Sequence, residues 1–396
     1  MLIRSLRLRN FLSYGPKSDA ISLRSLNLLI GPNGSGKSNL LEALALLQSA
    51  PVLLNAPIRE SGGGGVRDWL WKGADKLAVA SLEITVEPFP SSTHPLLRYR
   101  VDFTESGKRF EIVDERIENA EALPGHPEPY FYYRYENNHP VLNIRNEGGE
   151  ESRRYLRRED VDPEKSILAQ RRDPDLYPEI TRLAEELSLI RIYRDWSFGR
   201  YTPPRLPQST DLPNQWLEDN ARNLGLVMNR LKRNSETKNR LLEMFRAIYA
   251  EAEDFDVMIE GGTVQIFVQE KRFNVPATRL SDGTLRYLCL LAILYDPTPP
   301  PLICIDEPEL GLHPDLVNHV ADALRFASEK TQLIVTTHST ALVDAFTDDP
   351  EAVLVCDRSD GCSSVRRLDA QHMKPWLDKY RLGTLWTSGE IGGTRW

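Results

Sequence analysis

The chain has 396 residues, of which 41% are hydrophobic and 27% charged, and its formal net charge is -8. That length suits two or three compact units with ample core, and the acidic balance excludes a protein that coats nucleic acid over its whole surface, though not one with a local basic face. Four cysteines without a Cys-x-x-Cys pair exclude a disulfide scaffold, and no apolar run approaches the roughly 20 residues that span a bilayer, so a cytoplasmic location and no membrane partner are expected.

Residues 1–12 alternate Arg and Leu, which reads as a half-buried strand and not as a signal peptide. Ala20 to Leu23 and Leu26 to Ile30 supply two more strands. Gly31-Pro-Asn33-Gly34-Ser35-Gly36-Lys37-Ser38 then matches G-x-x-x-x-G-K-[S/T], and the run from Asn39 to about Gln48 predicts a helix. In this strand–loop–helix context the glycines admit phosphate oxygens to backbone N–H groups, and the helix adds its positive end. Lys37 is expected on the β- and γ-phosphates of ATP and Ser38 on Mg²⁺. Ser61 to Gly65 reads as a flexible connector or a ligand-contacting loop.

From Leu77 to about Leu156, strand follows strand, as expected of an antiparallel meander. Its Tyr130-Phe-Tyr-Tyr-Arg-Tyr135 run reads as packing or as a base-stacking platform. Residues 160–255 are mainly helical, with a short strand at Ile190 to Tyr193 and a proline-rich loop at Ser197 to Pro213. Arg222 to Arg246 carries seven Arg or Lys, which marks a candidate contact to duplex DNA or a solvated helix face. No heptad pattern persists, so no long coiled coil is expected. A hairpin follows around Gly261-Gly262, and then apolar strands alternate with helices, the pattern of a parallel sheet covered on both faces.

Two of those strands end in chemistry. Leu302-Ile-Cys-Ile-Asp306-Glu307 closes on adjacent acids, placing Asp306 to hold Mg²⁺ and Glu307 to polarise an attacking water. Leu333 to His338 closes on a histidine able to sense the terminal phosphate. Leu280-Ser281-Asp282-Gly283-Thr284 opens a helix, with Ser281 as its N-cap and Gly283 allowing close backbone approach.

Taken together these residues resemble the ATP-binding-cassette (ABC) ATPases, on the branch of RecF, SMC and the OLD-type nucleases. Gly31 to Ser38 is similar to Walker A, Leu280 to Arg286 to the signature, Leu302 to Glu307 to Walker B, Glu309 to Pro314 to the D-loop, and His338 to the switch histidine. Leu382 to Gly393 resembles the tail of stand-alone bacterial predicted ATPases, and the chain after Cys356 is too short for a TOPRIM nuclease domain, with Asp357 and Asp360 reading as turn residues. The resemblance implies an α/β ABC head with a mostly parallel core sheet, an antiparallel β subdomain and a helical insertion. The expected divisions are 1–89, 90–159, 160–255 and 256–396. It also implies Mg²⁺-dependent ATP hydrolysis with Lys37, Glu307 and His338 catalytic. The nucleotide would contact Gly31, Asn33, Gly34, Ser35, Gly36, Ser38 and Asn39, with Ser281 and Gly283 supplied across a homodimer formed in the ATP state. The remaining metal position, the Q-loop glutamine, falls to Gln170 or Gln48. Two roles follow: a DNA-acting ATPase of repair or genome maintenance, or a regulatory subunit of a phage-defence or toxin-type system that controls a separate effector protein.

Overall fold

The computed structural model describes residues 2–60, 65–74, 78–87, 96–122, 124–136, 139–145, 151–194 and 196–394. The connector at 61–64 and the turn at 137–138 lie outside them. The fold is α/β and is organised on a six-stranded sheet. In spatial order its strands are Arg191–Tyr193, Leu302–Asp306, Gln332–Thr336, Leu26–Ile30, Val353–Ser359 and Cys362–Arg367. The first five run parallel and the last is antiparallel. The three strands that carry sequence motifs are therefore neighbours, with their carboxyl ends on one edge.

Alternate residues of this sheet serve two different cores. Leu29, Leu302, Cys304, Ile334 and Leu354 pack on one face with the Lys37–Ser49 helix. Leu28, Ile30, Ile303, Ile305, Leu333 and Val335 pack on the other with the Asp282–Leu294 and Val317–Ser328 helices. Covering both faces is what makes the strands apolar throughout.

The second sheet has eight antiparallel strands, and the strand Ile3–Arg9 lies inside it, between Ile21–Ser22 and Ala80–Val86. It continues without a break into Leu97–Ser106 and the meander. The division expected at residue 89/90 thus falls within one sheet. Buried Gln332 joins the two sheets: its amide accepts from Leu2 N (3.1 Å) and Ile3 N (2.8 Å) and donates to Ile3 O (2.7 Å) and Arg24 O (3.0 Å).

The 160–255 segment also supplies the edge strand of the core sheet, Arg191–Tyr193. Its basic stretch forms two helices, Leu224–Leu231 and Ser235–Arg246, packed beside a small third sheet built on the Asp254–Glu260 and Thr263–Gln269 hairpin. The two longest helices among the described residues, Lys37–Ser49 and Asp282–Leu294, have 13 residues each, too short for a long coiled coil. No helix among the described residues is long and apolar enough to cross a membrane.

Candidate nucleotide-binding site

The phosphate loop is shaped by its glycines. Gly31, Gly34 and Gly36 have φ of 147°, 80° and 105°. A Cβ on Gly31 would lie 2.3 Å from the Cys356 carbonyl, and one on Gly36 would lie 2.5 Å from Ser363 Oγ. The Lys37–Ser49 helix begins after Gly36 with no side-chain cap and no acid in its first turn. Its leading N–H groups are left for an anion. Ser35 Oγ is buried without a hydrogen-bond partner, a polar atom of the kind a phosphate oxygen satisfies. Lys37 is buried and its Nζ donates to Gly31 O (2.7 Å) and Pro32 O (3.2 Å). Burial lowers its pKa, opposed by the neighbouring Cys356 sulfur and by the Glu307 and Asp306 carboxylates.

A second layer that the motif did not reveal supports the loop. Tyr14 OH donates to Gly36 O (3.0 Å), while Asn39 Nδ2 (2.7 Å) and Ser363 Oγ (2.6 Å) both reach Ser13 Oγ. Asn39, expected on the nucleotide, thus spends its amide N–H on Ser13. Asn33, Gly34 and Ser38 are exposed at the mouth of the loop.

Asp306 ends its strand opposite Thr336, whose hydroxyl donates to Asp306 Oδ1. Glu307 follows at φ 48°, a left-handed conformation that is strained for a residue with a Cβ. It is held there by Glu307 N donating to Thr336 O (3.1 Å) and by Arg286 Nη1 donating to Glu307 O (3.3 Å). His338 Nε2 lies 3.5 Å from Glu307 Oε1. Burial lowers the His338 pKa, as does nearby Lys37, against Glu307 and Asp306. Lys37, Asp306, Glu307 and His338 therefore feel one another's charges in one site. Glu309 ties the D-loop to it by accepting from the Thr337 hydroxyl and from His338 N (3.3 Å). Among the described residues no cluster of three or more His, Cys, Asp or Glu could hold a metal. A magnesium ion bound by one hydroxyl, one carboxylate and substrate phosphates needs none, and Ser38 with Asp306 fits that donor set.

The signature lies elsewhere. Ser281 Oγ caps its helix by accepting from Thr284 N (3.0 Å), and Ser281 is exposed. A Cβ on Gly283 would stand 3.0 Å from the D-loop carbonyl of Gly311. No described contact joins Ser281 to Gly31–Ser38 within the chain. Buried Arg205, within the proline-rich stretch Ser197 to Pro213, fixes this turn. Its guanidinium donates to Phe198 O (2.9 Å), to Leu280 O (2.5 Å) and to the Asp282 carboxylate.

Neither glutamine reaches the site. The Gln170 amide is used up closing its own loop, accepting from Asp162 N (2.7 Å) and donating to Lys165 O (2.7 Å). Arg172 beside it binds Pro51 O, past the far end of the Lys37–Ser49 helix. Gln48 donates to Ile190 O (2.7 Å) at that same end, roughly 16 Å along the helix from Lys37 at 1.5 Å per residue.

Four of the seven cations of the basic stretch pair with acids. Arg222 pairs with Glu218, Arg230 with Asp296, Lys232 with Asp256 and Lys238 with Asp254. Arg246 donates to Ala252 O and Glu253 O, and Arg240 stacks 4.0 Å from the Phe326 ring. The aromatic run packs inward: Phe131, Tyr132 and Tyr133 are buried, with Arg134 4.0 Å over Phe131.

The C-terminal segment arrives beside the loop. Gly31, Pro32, Asn33, His338, Trp386 and Gly393 all border one cavity of ≈ 360 Å³. Asp357, expected in a turn, is in a strand and accepts from Gly393 N (2.7 Å). The turn is Asp360-Gly361, with φ of 50° and 76°.

Fold and site together define an ABC-type ATPase of the SMC- and OLD-like class. Residues 26–344 match the family described as "AAA domain, putative AbiEii toxin, Type IV TA system", and the chain belongs to that family. It is also similar to the Old nuclease of Escherichia phage P2, at 33% identity over 121 residues. That alignment covers 27% of this chain and 20% of the nuclease, so only about a fifth of the relative's length is spanned. Among solved structures, an Smc head bound to the C-winged helix domain of ScpA matches at TM-score 0.56 and 16% identity, over 94% of this chain and 99% of that one. The Smc head with an extended coiled coil bound to the C-terminal domain of ScpA, from Pyrococcus furiosus, matches at 0.55 and 15%, over 96% and 99%. At such identities the likeness is one of fold.

Proposed function

We propose that this chain hydrolyses ATP in the presence of Mg²⁺ and that two copies close head to head over the bound nucleotides. The observation that carries the reading is the meeting of Lys37, Asp306, Glu307 and His338 at the carboxyl ends of three adjacent parallel strands. Lys37 would exchange its two carbonyl partners for phosphate oxygens. Ser38 and Asp306 would hold Mg²⁺, which neutralises phosphate charge when bound. Glu307 would orient and polarise the attacking water, and His338, kept neutral by burial, would donate a hydrogen bond toward the terminal phosphate. Ser281, exposed on a capped helix terminus, would complete the site of a second copy.

For the role of this cycle, control of a separate effector protein is better supported than clamping of duplex DNA through 222–246. Four of the seven cations there pair with acids and two more are engaged by carbonyls or an aromatic ring, which weakens the case for an unpaired stripe of the kind a phosphate backbone binds. The family's toxin–antitoxin description supports the same choice. ATP turnover measured with and without linear duplex, at low and physiological salt, separates the two. Turnover indifferent to DNA is expected, whereas stimulation that fades with salt would restore the DNA reading.

A further inference from the structure

The C-terminal segment is fastened to the helix that follows His338 and to the hairpin that begins with Val353–Ser359, and its last turn lies against the phosphate loop. Its helix Leu382–Thr387 abuts the helix that follows His338: Gly383 N donates to Asp344 Oδ1 (2.7 Å), and a Cβ on Gly383 would lie 2.4 Å from Thr340 O. Its last turn is pinned on the Val353–Ser359 hairpin, where Asp357 Oδ1 accepts from Gly393 N (2.7 Å) and Arg366 Nη2 donates to Ile391 O (2.7 Å). Trp386 Nε1 closes the segment on itself through Gly393 O (2.9 Å). The closed turn touches the phosphate loop, since a Cβ on Gly393 would lie 3.5 Å from Gly31 Cα and 3.0 Å from Val355 Cγ1. With φ of 69° at Gly393 as well, a side chain there would be strained and crowded against Val355 and Trp386.

The cavity bordered by this turn is lined by Gly31, Pro32, Asn33 and His338 as well as by Trp386 and Gly393. Its lining thus joins the start of the phosphate loop to His338, the group proposed above to face the terminal phosphate of a nucleoside triphosphate. We infer that the segment 382–394 is part of the nucleotide site and forms the wall of the terminal-phosphate chamber, so that it sets the preference for nucleoside triphosphate over diphosphate. The inference rests on the reading of Gly31–Ser38 as a nucleotide site and adds to it an element that no phosphate-binding motif supplies. Asp357 is a positioning residue, acting through Gly393 on the backbone of Gly31.

The test is calorimetric titration of the full chain with Mg²⁺ and either AMP-PNP or ADP. Asp357→Ala leaves Gly393 N–H without its acceptor, while Asp357→Asn keeps a carbonyl oxygen there. Trp386→Phe removes only the indole N–H and part of the ring. We expect Asp357→Ala and Trp386→Phe to weaken AMP-PNP about tenfold while ADP changes by less than about twofold, and Asp357→Asn to retain the wild-type ratio. Thermal unfolding without nucleotide shows whether each variant is folded. Equal weakening of both nucleotides in folded variants, or an unchanged ratio, overturns the inference and leaves the nucleotide site standing. A wild-type chain that binds neither nucleotide overturns both.

Discussion

His338 Nε2 stands 3.5 Å from Glu307 Oε1, across the ends of two neighbouring parallel strands. Neither residue is free to choose that position. Glu307 is held left-handed by hydrogen bonds from its amide to Thr336 and from Arg286 to its carbonyl. The His338 amide is held by the Glu309 carboxylate. Beside His338, strain kept at one residue by several neighbours is of the kind that accompanies catalytic geometry.

Glu307→Gln keeps the size and the hydrogen bonds of the backbone but cannot accept a proton from water. Turnover should fall by about 10²–10⁴-fold, while nucleotide binding persists. With Mg-ATP the variant should accumulate as a dimer on size-exclusion chromatography. A Glu307→Gln protein that stays monomeric in saturating Mg-ATP contradicts the head-to-head closure.

Glu115 is a buried carboxyl that joins the antiparallel sheet to the turn before Ile167. It accepts from Tyr99 OH (2.9 Å), from Ser166 Oγ and from Ile167 N (2.8 Å). Burial pushes its pKa up to about 7, against 4.5 for an ordinary glutamate. Between those values the native chain holds a proton that the unfolded chain releases. This contribution to stability is therefore complete below pH 4.5 and is lost as pH rises to about 7, on the order of 3 kcal/mol. Glu115→Gln should flatten the decline of Tm across that window. A variant whose Tm falls as steeply as wild type would show that Glu115 titrates normally.

Gln332 carries four hydrogen bonds between two sheets with no exposure to water. Gln332→Leu matches its size but leaves Leu2 N and Ile3 N without the acceptor they share and takes a donor from Ile3 O. We expect a loss of about 2–4 kcal/mol in urea unfolding. A loss under about 0.5 kcal/mol would mean that these groups find other partners.

Much of this architecture is legible in the sequence, and the reason is local. Leu26–Ile30, Leu302–Asp306 and Gln332–Thr336 are buried on both faces, so their apolar runs cannot be mistaken for exposed edges. Gly31–Ser38 is legible because its glycines answer a backbone need that shows in composition. What stays hidden depends on partners far along the chain. Arg230 and Lys232 look free until Asp296 and Asp256 fold onto them. Arg205 is one arginine among prolines until Leu280 and Asp282 meet it. Gln170 has the residue type of a metal ligand, but its loop claims the amide first. The Cys362–Arg367 strand is a polar edge and carries no apolar signature, although the Asp360-Gly361 pair that turns the chain into it is a hairpin signal in plain view.

The central claim is that Gly31–Ser38 and the acids at 306 and 307 form one ATP-hydrolysing site. Its most direct test is phosphate release from Mg-ATP by the wild-type chain beside Lys37→Ala, each shown to be folded. Removing Lys37 takes away the cation that meets the phosphates. The account predicts measurable release by the wild type and a fall to background in the variant. Equal release by both would contradict it.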